Sequence, residues 1–112
     1  MPAPNNNGSQ SAEIVELVAG DASGLALRGS LTAETVPRLW RQSSQLFDES
    51  RKSLSIDLAG VTEADSAGLA LLVTWAGQAA LAKVALRYAA VPERLLSLAR
   101  ISEVEDLLLP AG

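Results

Sequence analysis

The feature that most constrains this chain is a long run without any charged residue, residues 66–82. Its composition is helical, and about 17 positions is close to the shortest length that spans a membrane. Thr74, Gln78 and two glycines within the run argue against a membrane span. A helix that is apolar nearly all round must be covered on more than one side. The run therefore predicts a central helix of a compact domain.

Two faces of this helix are expected to have different covers. The face expected against a sheet consists of Leu69, Leu72, Val73, Ala76 and Ala80. The second face consists of Ala67, Leu71, Trp75 and Gln78. Either another helix of the domain or another protein must cover this second face, and the sequence alone leaves both possibilities open.

Strand and helix patterns alternate around the central helix. The predicted strands are 14–18, 25–29, 53–58 and 84–89, and the predicted helices are 32–47, 66–81, 93–100 and 103–109. A helix between two strands requires a crossover, so part of the sheet is parallel. We expect an α/β fold with a mixed four-stranded sheet, an N-terminal hairpin and about four flanking helices. Residues 1–12 are expected to be a disordered polar tail, and residues 13–112 a single domain.

Composition limits the function. The net charge of -4 and the absence of a basic patch argue against binding of nucleic acid or of an anionic membrane. Cysteine and histidine are both absent, which removes thiol chemistry, the usual general base and the commonest metal ligand. No phosphate-binding glycine motif is present. We therefore expect no catalytic residues, no metal and no cofactor. The N-terminus does not read as a secretory signal, which favours a cytoplasmic location.

The start of the central helix carries the residues of greatest interest. Asp65 or Ser66 is expected to cap it, and Ser66 could also be a docking hydroxyl or a phosphosite. Three carboxylates lie near this start, at Asp57, Glu63 and Asp65, and they could form a metal or acid–base site. Acidic loop residues that only keep the surface hydrated are commoner. We expect Glu63 and Asp65 to offer negative charge to a basic partner.

The two tryptophans have different expected roles. Trp40 is expected in the core at the boundary between a helix and the sheet. Trp75 is either a core residue or a binding hot spot, because its neighbours on the second face are small and uncharged.

Three segments resemble the STAS domain family of anti-sigma factor antagonists and anion-transporter tails. They are Leu27-Arg28-Gly29-Ser30-Leu31, Ile56-Asp57-Leu58 and Asp65-Ser66-Ala67-Gly68-Leu69. The resemblance extends from Glu13 onward. Within the family, the run that begins at Asp65, the Leu39-Trp40 pair and the Leu-Leu-Leu-Pro ending at Pro110 are most similar to the MlaB group. MlaB-type chains are small cytoplasmic subunits of the Mla phospholipid ABC transporter of Gram-negative bacteria, which maintains outer-membrane lipid asymmetry.

This resemblance implies a non-catalytic subunit that binds the Mla-type ABC-transporter ATPase and lies at the inner membrane only through that complex. The partner-binding residues are then expected to be Asp65, Ser66, Ala67, Gly68, Leu69 and Trp75. The alternative is an anti-sigma factor antagonist with Ser66 as its phosphosite. In such antagonists a second serine usually follows, and Ala67 stands there in this chain. This difference favours the transporter subunit. Self-association stays open.

Overall fold

The computed structural model describes residues 12–19, 22–43, 46–47 and 52–108. Of the predicted tail, residues 1–11 lie outside these ranges. The strands are β1 (Ala12–Ala19), β2 (Ala22–Leu31), β3 (Ser53–Ala64) and β4 (Ala85–Ala89). The helices are α1 (Val36–Gln42), α2 (Ser66–Ala82) and α3 (Glu93–Ile101), followed by a short 3-10 helix (Glu105–Leu107).

The four strands form one mixed sheet in the order β1-β2-β3-β4. The hairpin partners β1 and β2 are antiparallel. The pairs β2–β3 and β3–β4 are parallel, because α1 and α2 carry the chain back across the sheet between them. The predicted α/β fold, with a mixed four-stranded sheet and an N-terminal hairpin, is confirmed.

One face of the sheet builds the core. The alternating side chains Leu54, Ile56 and Leu58 of β3 are at most 1 % exposed, whereas Ser53 on the opposite parity is exposed. Leu39 of α1, Leu72 of α2 and Leu95 of α3 join the same buried cluster. The three helices therefore cover one face of the sheet.

Several predicted element boundaries were wrong: β1 and β2 are longer than predicted, and α1 ends at Gln42 and not at Phe47. β3 continues beyond Leu58 to Ala64, because its second half pairs with the end of β2 across two register shifts. α1 begins at Val36 rather than after Thr32, since Thr32–Thr35 form a turn closed by the bond from the Val36 amide to the Thr32 carbonyl (2.9 Å). The last predicted helix is a single 3-10 turn, and its predicted final residue lies outside the described ranges.

A buried hydrogen bond fixes α2 to the sheet at its middle. The hydroxyl of Tyr88 on β4 donates to the Leu72 carbonyl at 2.7 Å. Burial raises the pKa of Tyr88 above its ordinary value, so the phenol stays protonated and keeps donating. The helix ends at Lys83, which adopts the left-handed conformation that closes many helices.

Candidate protein-docking site

Asp65 fixes the start of α2 through three backbone N–H groups. Its Oδ1 accepts hydrogen bonds from the amides of Ala67 (2.9 Å) and Gly68 (3.1 Å). These amides belong to the first turn, where no helical carbonyl is available to them. Its Oδ2 accepts from the Ala33 amide at 3.1 Å, which joins α2 to the loop after β2. Asp65 is therefore the cap, and its charge is engaged within the chain.

Ser66 is the first residue of α2, and it is exposed. In the described part of the chain, no group forms a hydrogen bond with its hydroxyl. Ala67 beside it is half-buried. Because Asp65 already caps the helix, the Ser66 hydroxyl is open to a partner or to a modifying enzyme.

Two of the predicted partner-binding residues lie beneath the surface. Gly68 is buried, and a Cβ built there would lie 2.3 Å from the Leu31 carbonyl oxygen. Leu69 is 5 % exposed and belongs to the core. These residues seat the first turn of α2 on the end of β2, and their side chains do not contribute a surface.

The second face of α2 is covered by the domain itself. Leu71 is 3 % exposed and Trp75 is 1 % exposed. The ring of Phe47 meets the Trp75 ring edge-on, with 6.5 Å between centroids. The sequence left open whether this face packs within the domain or against another protein. In the structure it packs within the domain. The prediction that Trp75 contacts a partner does not fit this burial.

A third face of α2 is exposed along the whole helix and carries no charge. We call it the exposed strip, and it consists of Ser66, Ala70, Thr74, Gly77 and Leu81. Leu81 is 88 % exposed. The Thr74 hydroxyl donates to the Ala70 carbonyl (2.8 Å), so it already has a partner if the surface is covered. This face was not predicted from the sequence, although positions 66, 70, 74, 77 and 81 follow helical spacing.

Trp40 also lies at the surface, with 44 % of its area exposed. The prediction that it lies in the core was wrong. Adjacent residues of a helix point about 100° apart, so Leu39 and Trp40 cannot both face the sheet. Leu39 is fully buried and takes that position. Since α1 packs against α2, this exposed aromatic lies on the helix that neighbours α2.

The three carboxylates near the end of β3 each accept hydrogen bonds from different groups. Asp57 accepts from the Ala59 amide (2.8 Å), and Glu63 accepts from the Ser30 hydroxyl (3.0 Å). Asp65 holds the start of α2, as described above. Within the described ranges, no three acidic side chains are grouped so that they could hold a metal ion.

The architecture is that of a small α/β domain in which a mixed sheet carries helices on one face, and solved structures share it. An anti-sigma factor antagonist from Mycobacterium paratuberculosis is similar with a TM-score of 0.66 at 21% identity, over 91% of this chain and 88% of that one. The unphosphorylated anti-sigma factor antagonist SpoIIAA is similar with a TM-score of 0.63 at 15% identity, over 91% and 89%. At these identities the likeness establishes the fold.

The family follows from the sequence match. The model of the family described as "Mlab, STAS domain" matches residues 17–110, so the chain belongs to this STAS family. STAS domains are protein-interaction modules. Among curated proteins, no significant match is found. Across the described residues, each helix is too short or too polar to span a bilayer.

Replacing Asp65 by alanine should lower the free energy of unfolding by about 2 kcal/mol, because the cap and the bond to Ala33 are lost together. Asp65→Asn keeps a capping oxygen and should cost less than half as much. Urea unfolding followed by circular dichroism measures both values. Equal stability of wild type and Asp65→Ala would show that these hydrogen bonds do not hold the site together.

Proposed function

We propose that this chain is a non-catalytic accessory subunit that binds the cytoplasmic ATPase of an Mla-type phospholipid ABC transporter. The observation that carries the proposal is the exposed strip, which presents no charge over the full length of α2. The family match, whose description names MlaB, supports this choice among STAS functions. In this proposal ATP chemistry belongs to the partner, and the chain supports assembly and activity of the complex.

The exposed strip suits a protein partner in its composition. Cores of protein interfaces are depleted in charged residues, whereas ordinary exposed helix faces carry them. Ala70 has only a methyl group and Gly77 has no side chain, so a partner could approach the backbone of α2 closely. Trp40 on the neighbouring helix supplies a side chain of the type found most often at binding hot spots. We propose that Ser66 lies within this contact, at its end nearest Asp65.

Co-expression with the Mla-type ATPase subunit of the same bacterium tests the proposal. The two chains should co-purify. Ser66→Arg should weaken the complex by about tenfold or more, because it places an unpaired charge in the interface. Ser102→Arg, which changes an exposed serine after the end of α3, serves as the matched control. Wild-type affinity in the Ser66→Arg variant, or no complex at all, would count against the proposal.

A phospho-switched regulator of an anti-sigma kinase is the second candidate. The open Ser66 hydroxyl favours it, as does the similarity of the fold to two anti-sigma factor antagonists. Ala67 disfavours it, because such antagonists usually carry a second serine at this position. Incubation with such a kinase and ATP, followed by intact mass, distinguishes the two functions. A phosphate that is added to wild type and not to Ser66→Ala would support the switch.

A further inference from the structure

A cleft of about 420 Å³ opens beside the start of α2. It lies between the loop after β2, the last residues of β3 and the start of α3. Ala64 in its wall directly precedes Asp65 and Ser66. The wall of the cleft therefore lies two residues from Ser66 along the chain.

The polar groups of the cleft are mainly hydrogen-bond acceptors. Glu34 and Glu63 line it, and the Ser30 hydroxyl holds the Glu63 carboxylate in place at 3.0 Å. Thr32 also lines it, and its hydroxyl oxygen is buried without a hydrogen-bond partner among the described residues. That oxygen is closed off from the cleft, so the exposed carboxylates of Glu34 and Glu63 are the acceptors that a donor in the cleft can reach.

Among the described residues that line the cleft, Arg94 is the only cationic one, and its side chain is partly engaged. The Nε of Arg94 donates to the Ala64 carbonyl at 3.4 Å. Two carboxylates and one guanidinium line the cleft, so the balance of its lining is negative. A phosphate group would meet repulsion here, whereas a cation with several donors would find acceptors on two walls.

We propose that this cleft receives an arginine side chain of the protein partner, with Glu34 and Glu63 as its carboxylate acceptors. A guanidinium presents five donors in a planar fork, which suits separate acceptors better than the compact ammonium of lysine. Asp65 is not part of the site, because its two oxygens already accept three backbone hydrogen bonds. This inference rests on the proposed docking function, and it adds the chemistry that the partner must supply.

The first experiment uses a probe that does not depend on the partner. Acetyl-arginine amide is titrated into the whole chain, and amide shifts are followed by NMR. Saturable shifts at Thr32, Glu34, Thr62 and Glu63 in the range of about 1–10 mM are expected. The uncharged isostere acetyl-citrulline amide and the variant Glu34→Gln/Glu63→Gln should both abolish them. Absence of shifts, or equal shifts with citrulline, would overturn the proposal.

The second experiment measures the affinity for the ATPase subunit by calorimetry at two salt concentrations. Glu34→Gln/Glu63→Gln should weaken binding about tenfold at low salt and less at high salt. Glu103→Gln/Asp106→Asn removes the same charge from two exposed positions after the end of α3. This control variant should bind like wild type. If the cleft variant binds like wild type while Ser66→Arg does not bind, the cleft proposal fails and the docking function stands. If wild type does not bind the ATPase, the docking function fails, and the arginine titration alone decides the chemistry of the cleft.

Discussion

Replacing Gly68 by alanine is expected to destabilise the domain by about 3 kcal/mol, the upper range for overpacking by a single methyl group. The added Cβ would lie 2.3 Å from the carbonyl oxygen of Leu31 and 2.7 Å from its Cγ. The carbonyl belongs to the backbone of β2, which cannot move aside as a side-chain end can. The first turn of α2 would have to shift, together with the hydrogen bonds of Asp65.

Gly77 on the same helix provides the matched control. No atom lies within 4 Å of a Cβ built there, so Gly77→Ala meets open space. It should raise the free energy of unfolding by about 1 kcal/mol, because alanine is the better helix former. Thermal and urea unfolding of the two variants give the comparison. Similar effects of both substitutions, in either direction, would contradict the close packing of α2 on β2.

Truncation of the two tryptophans should have very different effects on the stability of the domain. Trp75→Ala removes the largest fully buried side chain and should cost about 4 kcal/mol of stability. Trp75→Phe should cost less, since the buried indole N–H has no hydrogen-bond partner in the described part of the chain. Trp40→Ala should leave the stability within about 1 kcal/mol of wild type, because Trp40 is 44 % exposed.

Partner binding should reverse this order. Under the proposed function, Trp40→Ala should weaken the complex with the ATPase about 30-fold, which is the loss of about 2 kcal/mol typical of a hot spot. Trp75→Phe, if folded, should bind like wild type. Calorimetric titration of the folded variants measures both. A Trp40→Ala variant with unchanged affinity would exclude this tryptophan from the interface.

Local patterns were sufficient to predict the strands and their mixed arrangement. Alternation in β3 placed Leu54, Ile56 and Leu58 inward, and all three are buried. The long uncharged run predicted α2, which spans Ser66–Ala82. Strand ends were harder to predict, because the second half of β3 is held by pairing with β2 and not by its own alternation.

The docking surface could not be predicted in full, because an apolar helix does not indicate which of its sides meets the core. For α2, the arrangement of α1 and Phe47 decides that Trp75 is covered. For α1, the competition between Leu39 and Trp40 for one buried position depends on how the helix sits on the sheet. Both are tertiary effects. Asp65 and Ser66, by contrast, follow from capping rules, and the structure decides only which of the two is the cap.

The hydrogen bond between Tyr88 and the Leu72 carbonyl has a consequence for the kinetics of association. This bond and the bond from the Ala33 amide to the Asp65 carboxylate hold α2 at two points. The helix therefore cannot rotate or slide on the sheet without breaking the buried Tyr88 bond. A surface held in this way loses little conformational entropy when it is covered, and docking should proceed as a near-rigid-body encounter. Substitutions on the exposed strip should therefore act mainly on the dissociation rate, and the association rate should change little.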